Sequence, residues 1–351
     1  MTTAAEGPAR ILLLGDGRWA AAALRHLAAS GRVVAVVERR LPTDNSLADA
    51  ARACALPCRR LDDVNAIEAR EWIRALAPDL LLSVSFDQIF GREFFAPAPP
   101  DGRFPPVLNL HAGHPGRHRG RAVLCWQLLE GARSIDLCVM RVTRGIDAGP
   151  LLALRSVTLA DDDDYGAALE RVSAAVPTLL DEALEALTAG AGAASAPGTT
   201  GTTSRPVYYP RRCPGDEWID WSASSQSVLR LVRALAPPNP LARTRLGEDG
   251  ILVGRAAACP DFPQDAAGAP GAVIGRDRAL GLLVKTGDGA VWISGLLDCS
   301  GLPVDMRDLR LSDRLGASPV AELEELRRHV GQLESRLARL EVARAPVEAL
   351  P

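Results

Sequence analysis

The chain has 351 residues, enough for two domains with ordinary cores. Hydrophobic residues make up 47% and charged residues 24%, the balance of an ordinary soluble protein. The formal net charge is −3, so nothing in the composition demands a polyanionic partner.

The seven cysteines are Cys54, Cys58, Cys125, Cys138, Cys213, Cys259 and Cys299. Their number is odd, they are scattered, and no pair has CxxC spacing. That argues against a disulfide framework or a zinc site and fits a reducing cytoplasm. The first residues, MTTAAEGPAR, lack the charged-then-apolar pattern of a signal peptide. No apolar run approaches the length of a membrane span.

Arg10–Gly15 reads as a strand buried on both faces, because its apolar run is unbroken. A helix over Arg18–Ala29 and a second buried strand over Val33–Val37 complete a β-α-β unit. Its turn, Gly15-Asp16-Gly17-Arg18-Trp19-Ala20, has the GxGxxA spacing of a dinucleotide fingerprint, with Glu38 at the end of the second strand. The same spacing also describes a tight strand-to-helix turn in any doubly wound domain. A helix over Leu47–Ala55, a short strand over Pro57–Arg60 and a helix over Asp63–Leu76 follow. Leu80–Phe86 is a further buried strand, running into Asp87-Gln88-Ile89-Phe90.

The chemistry concentrates in residues 107–149. The apolar run Val107–Leu110 reads as a strand that delivers Asn109 and His111 to its carboxyl end. Gly113, Pro115, Gly116 and Gly120 then forbid a regular helix and require a tight loop. Helical character returns at Ala122–Leu129, a strand follows over Ile135–Val142, and the loop RGIDAG holds Asp147 between Gly145 and Gly149. An Asn amide beside a His can hydrogen-bond the oxygen of a tetrahedral intermediate. A His of near-neutral pKa moves a proton, and a carboxylate orients that His or takes the proton of an attacking amine. The set suits acyl transfer to an amine, provided the fold brings Asp147 back over the Asn109–His111 strand end. His111, His114 and His118 have metal-ligand spacing for a helix only, which the loop glycines exclude, so no metal is expected. Asp161–Asp164 reads as a helix cap for the apolar-periodic run after it.

NLHAG…RG, the thirty-eight positions from Asn109 to Asp147, and GIDAGPLL resemble the folate-dependent formyltransferase family. That family includes glycinamide ribonucleotide, methionyl-tRNA and sugar-nucleotide formyltransferases. The resemblance implies Asn109, His111 and Asp147 as catalytic residues and 10-formyltetrahydrofolate as the one-carbon donor. It implies a Rossmann-like catalytic domain whose β-α-β start binds no NAD. It also implies that Ser83, Ser85, Phe86, Asp87, Gln88 and Ile89, at the end of the 80–86 strand, hold the pterin ring. One departure is His114–Pro115–Gly116, where the family has a Leu-Pro pair before its Arg-Gly.

Thr188–Ser204 is small, polar and low in complexity, a linker. The following VYYPRRCPGDEWIDWS resembles the start of the C-terminal region of methionyl-tRNA and sugar-nucleotide formyltransferases. Ser224–Leu235 reads as a helix ended by PPNP, and five short strands over 244–294 suggest a small barrel. By the resemblance this barrel is similar to the oligonucleotide-binding (OB) fold. The expected organisation is thus an α/β catalytic domain over 1–190, a linker over 191–204, an OB-like domain over 205–315 and a coiled-coil tail over 318–345. In the tail, Leu323, Leu326, Val330, Leu333, Leu337 and Leu340 make an a/d seam of almost three heptads, which suits pairing with a second copy and hence a homodimer.

The expected activity is N-formylation of a small primary amine, such as an amino-sugar nucleotide or a specialised-metabolite precursor. Methionyl-tRNA is the alternative acceptor. The family's tRNA enzymes carry a basic insertion after the second strand, and here Glu38–Ser46 is short with only two basic residues. No nucleic-acid or membrane partner is therefore expected. Rivals of other classes are an NAD(P)-dependent oxidoreductase using Gly15, Gly17 and Glu38, and a non-catalytic scaffold.

Overall fold

The computed structural model describes residues 9–95, 104–189, 207–263, 268–311, 313–316 and 319–344. The chain forms two units. The first runs to Asp216 and takes back Arg233–Asn239, and the second holds Glu217–Val232 and the chain from Pro240 onward.

The first unit is built on a seven-stranded sheet. Its elements in chain order are β1 (Ile11–Gly15), α1 (Gly17–Ala29), β2 (Val33–Glu38), α2 (Ser46–Ala53), β3 (Cys58–Arg60), α3 (Ile67–Ala75) and β4 (Leu80–Val84). Then come β5 (Val107–His111), β6 (His118–Gly120), α4 (Val123–Glu130), β7 (Ser134–Arg141), β8 (Leu151–Thr158), α5 (Tyr165–Thr188) and β9 (Val207–Tyr209). The sheet order is β3-β2-β1-β4-β5-β7-β8. The first five strands are parallel, while β7 and β8 each run antiparallel to their neighbours. β1 and β4 are buried at every residue, as their unbroken aliphatic runs require once helices cover both faces. Leu12, Leu14, Val37, Leu81 and Val107 form one core with the aromatic cluster Phe90, Phe94 and Phe104. The Asp161–Asp164 run caps α5, where the Asp164 carboxylate accepts the Ala167 amide at 2.9 Å.

The strand expected over 80–86 stops at Val84, because Ser85 adopts a left-handed φ of +57° and turns the chain out of the sheet. The helix expected over 63–76 starts later, at Ile67, since the Asp63 carboxylate accepts the Asn65 amide and makes a turn there. Two three-residue strands were not anticipated. β6 and β9 pair in parallel as a separate two-stranded sheet, which draws residues 207–216 into the first unit. A second domain expected from residue 205 therefore has its first described ten residues elsewhere. Residues 191–204, expected as a linker, lie outside the described residues.

α6 (Ser225–Ala234) leads into the second unit's sheet, which comprises β10 (Ala242–Leu246), β11 (Asp249–Ala258), β12 (Val273–Asp277), β13 (Gly281–Lys285) and β14 (Ala290–Asp298). It is antiparallel, in the order β10-β11-β14-β13-β12. Arg314 and Leu315 bridge its two edges: Leu315 pairs with Leu246 of β10, and Arg314 pairs with Ala272, just before β12. The Leu315 amide reaches the Gly271 carbonyl at 2.7 Å, and Gly271 is the residue type that fits, because a Cβ there would lie 2.1 Å from the Leu315 carbonyl oxygen. Val253, Leu282, Val284, Val291, Ile293 and Leu315 fill the interior.

The last element is α7 (Pro319–Arg344). Its Leu323, Leu326, Val330, Leu333 and Leu337 are 49–63% exposed, so among the described residues this apolar seam is uncovered. No helix among the described residues is long and apolar enough to cross a membrane.

Candidate active site

Residues two apart on a strand point to the same face, so β5 presents Asn109 and His111 together. β7 runs back along β5, pairing Leu108 with Arg141, and the chain then turns through residues 143–149 into β8. That connection folds over the strand face rather than away from it. Gly149 packs so closely on Arg141 that a Cβ would stand 1.7 Å from the Arg141 carbonyl oxygen. Asp147, at a left-handed φ of +45°, is thereby aimed at β5.

The three side chains meet. The Asn109 amide nitrogen Nδ2 lies 3.4 Å from Asp147 Oδ1, a long hydrogen bond that leaves the amide free to serve another oxygen. His111 Nδ1 lies 3.9 Å from Asp147 Oδ2, with the two side chains only 9% and 12% exposed. His111 Nε2 stands 2.8 Å from the His118 carbonyl. A carbonyl only accepts, so Nε2 carries the proton and donates it, and Nδ1 is the ring atom left for proton traffic. Asp147 Oδ2 also accepts the Gly120 amide at 2.9 Å. Cys138 lies behind the site, its thiol donating to the Gly113 carbonyl at 3.2 Å. Burial, and secondarily the Asp147 charge, push that thiol well above its ordinary pKa, so it stays an inert wall.

The loop from Ala112 to Ala122 is held from several sides. The Arg119 guanidinium bonds the Pro115 carbonyl at 2.5 Å and the Tyr208 hydroxyl at 2.9 Å. Arg121 donates to the Asp87 carbonyl at 2.6 Å and so ties this loop to the one after β4. His118 stacks on Tyr209, and Tyr209 stacks on Trp126. The Tyr209 hydroxyl donates to the Glu130 carboxylate. Burial and that carboxylate push the Tyr209 hydroxyl up to about 12, so it remains a donor. Sequence reasoning missed Tyr208, Tyr209, Trp126 and Glu130. Their signal was the paired tyrosines in VYYPRR, which that reasoning assigned to another domain.

The residues expected at the pterin fall into two groups. Ser85 is exposed, as is Ile89 at 68%, and both lie in the turn beyond β4. Ser83 is buried beside Asn109 in the strand register. Phe86 is partly buried against the core, 6.2 Å from Phe90. Asp87 pairs with Arg39 at 3.1 Å. The Gln88 side chain is spent on the chain itself, accepting the Val64 amide at 2.6 Å and donating to the Leu61 carbonyl at 2.9 Å. Gln88 and Asp87 thus shape the loop, and Ser85 and Ile89 are the members that face outward.

The glycine-rich turn at β1 is filled by the protein itself. A Cβ at Gly15 would meet the Val84 carbonyl at 2.5 Å and Ala20 at 2.6 Å. Asp16 is buried and bonded to the Thr43 amide at 2.9 Å, and Glu38 is 2% exposed with Arg60 on it at 2.7 Å. Neither carboxylate stands open to a ribose hydroxyl, which removes the acidic half of a dinucleotide site.

Residues 10–184 match the family model described as formyl transferase, and residues 213–310 match the one described as formyl transferase, C-terminal domain. The chain belongs to the folate-dependent formyltransferase family. It is a formyltransferase, and the family's formyl donor is 10-formyltetrahydrofolate. A methionyl-tRNA formyltransferase of Halorhodospira halophila is 34% identical over 235 residues, covering 67% of this chain and 71% of that protein. Among solved structures, WlaRD, a sugar 3N-formyl transferase determined in the presence of dTDP and 5-N-formyl-THF, aligns with a TM-score of 0.58 at 13% identity, over 84% of this formyltransferase and 99% of WlaRD. HypX from Aquifex aeolicus, in complex with tetrahydrofolic acid, aligns with a TM-score of 0.56 at 20% identity, over 83% of this formyltransferase but only 44% of HypX. At these identities the two structures establish a shared fold.

Proposed function

We propose that the protein transfers the formyl group of 10-formyltetrahydrofolate to the primary amine of a small molecule, with Asn109, His111 and Asp147 as its catalytic residues. The observation that carries this is the convergence of the three side chains over the end of β5, with Asn109 Nδ2 and His111 Nδ1 both turned toward Asp147. The amine attacks the formyl carbon, and the Asn109 amide donates to the oxygen as it becomes an oxyanion. One amine proton leaves toward Asp147 or His111 Nδ1, the bond from carbon to the folate nitrogen breaks, and that nitrogen takes up a proton. The exposed turn at Ser85 and Ile89 is the side from which the pterin would be gripped.

Charge pairing favours a small acceptor such as an amino-sugar nucleotide. Of the two basic residues after β2, Arg39 is neutralised by Asp16 and Asp87, and Arg40 lies 3.6 Å from Asp62. Two arginines, one of them already held by buried and half-buried carboxylates, are few charges for a phosphate backbone, on which nucleic-acid affinity largely rests. Methionyl-tRNA is the second reading, favoured by the Halorhodospira relative. The test is turnover with 10-formyltetrahydrofolate and two acceptor pools, one of amino-sugar nucleotides and other small amines, the other of charged initiator tRNA. Tetrahydrofolate release with the small amines is expected, and release with tRNA alone reverses the acceptor. In the active pairing Asp147→Ala should lower kcat by about 100-fold or more. A folded variant with near wild-type turnover removes Asp147 from the mechanism.

The uncovered seam of α7 is read as the contact with a second copy of the chain. In a parallel pairing of heptads with Leu323, Val330 and Leu337 at a, Leu326 and Leu333 fall at d and complete the seam. Seven unpaired cysteines fit a cytoplasmic location.

A further inference from the structure

Both side chains that would exchange protons are fixed by backbone groups of one three-residue strand. The His118 carbonyl of β6 accepts from His111 Nε2 at 2.8 Å, and the Gly120 amide of β6 donates to Asp147 Oδ2 at 2.9 Å. β6 belongs to no larger sheet, and its strand partner is β9, which follows more than eighty residues later in sequence. The pairing is close. The Val207 amide reaches the Arg117 carbonyl and the Arg121 amide reaches the Tyr209 carbonyl, both at 3.0 Å, and so bracket β6 at its two ends. Gly120 has φ +102°, and a Cβ there would stand 2.2 Å from the Tyr209 carbonyl oxygen. Side chains fasten the same contact. Tyr209 lies between His118 and Trp126 and donates to Glu130, Tyr208 takes the Arg119 guanidinium, and Trp126 Nε1 reaches the Pro210 carbonyl at 3.0 Å.

We infer that β9 is a positioning strap for the catalytic centre: by pairing with β6, Val207–Tyr209 fixes the two backbone groups that orient His111 and Asp147. This rests on the catalytic reading of His111 and Asp147 given above. Neither Tyr208 nor Tyr209 needs to touch substrate in this role. The strap acts by holding His118 and Gly120 in register. Without it the loop from Ala112 to Ala122 keeps its glycines but loses its only strand pairing among the described residues, and the carbonyl that selects the His111 tautomer is free to drift. A displacement of an ångström at such a site costs about 100-fold in rate.

The test uses the full chain and three variants, Val207→Pro, Tyr209→Ala and Tyr209→Phe. Val207→Pro removes the amide that bonds Arg117. Tyr209→Ala removes the stacking and the hydroxyl, whereas Tyr209→Phe keeps the stacking. Val207→Pro and Tyr209→Ala are expected to lower kcat by about 10- to 100-fold with KM for the folate donor within about twofold, and to move the pH profile of kcat. Tyr209→Phe should recover most of the turnover. In ¹⁵N-histidine-labelled protein, the His111 Nε2–H signature should be present in the wild type and exchange-broadened in Val207→Pro. A folded Val207→Pro protein with an unchanged profile and an unchanged His111 signal overturns the inference. Loss of the signal with turnover unaffected, together with an active Asp147→Ala, instead overturns the catalytic reading while leaving the strap in place. If Val207→Pro fails to fold, Tyr209→Ala against Tyr209→Phe decides on the same two readouts.

Discussion

His118 is pulled two ways. Burial pushes its pKa below the ordinary histidine value of 6.5, while the Glu130 carboxylate, 3.6 Å from Nε2, pulls it back up, and burial wins. Its Nδ1 is buried with no hydrogen-bond partner, so the neutral ring is the form that packs. The sign of the linkage follows. The folded protein binds this proton less readily than the unfolded chain, so the contribution of His118 to stability is present above pH 6.5 and is lost as pH falls below it. The expected outcome is a melting temperature that drops between pH 7 and pH 5, with a shallower drop in His118→Gln. An equal slope in that variant would assign the acid sensitivity to other groups. Asn109 and His111 show what was readable from sequence at this scale, their common placement on β5. Spacing of two on a strand fixes a common face, whatever the rest of the fold does.

At the scale of elements, the connection from β7 to β8 decides whether a site exists at all. Gly149 has no room for a Cβ against Arg141, and the obstacle is backbone, which cannot swing aside. Gly149→Ala should therefore displace Asp147 and lower kcat by about 100-fold, the cost expected of a misplaced group, with the sheet retained by circular dichroism. A fully active Gly149→Ala protein would show that the loop tolerates displacement. The long buried strands were legible because a run such as Leu12-Leu13-Leu14 has one stable home, the inside of a parallel sheet. β8 was not, since Leu154-Arg155-Ser156-Val157 mixes exposed and half-buried positions on an edge strand. β6 and β9 were invisible for a different reason. Three residues carry no period, and their pairing is set by tertiary contact rather than by local preference. Of the residues expected at the pterin, the strand end and turn were legible but the individual side chains were not, because Gln88 turns its amide onto Leu61 and Val64, which no local pattern announces.

At the scale of the whole molecule, α7 is the feature that a single chain leaves unexplained. A helix of 26 residues with leucines along one stripe and Arg327, Arg328, Glu334 and Arg336 around them is amphipathic without a covering surface among the described residues. Sedimentation or light scattering should give a dimer for the full chain, and the double substitution Leu326→Asp, Leu333→Asp should give a monomer with turnover retained. A wild-type monomer at micromolar concentration would show that the stripe pairs with something other than its own copy. The tail and the chemistry are then separable, since every residue proposed for catalysis lies in the first unit.

The β6–β9 pairing also sets an order of events during synthesis. The seven-stranded sheet and its helices are complete in the chain by Thr188, whereas the partner of β6 is not made until Tyr209. A nascent chain can bury its core before it can present an oriented His111, because local and sheet contacts form before a contact of such long sequence separation is possible. Competence would thus arrive as a discrete late step of biosynthesis, and a nascent chain that has emerged from the ribosome only to a point between those two would display a folded but inert domain.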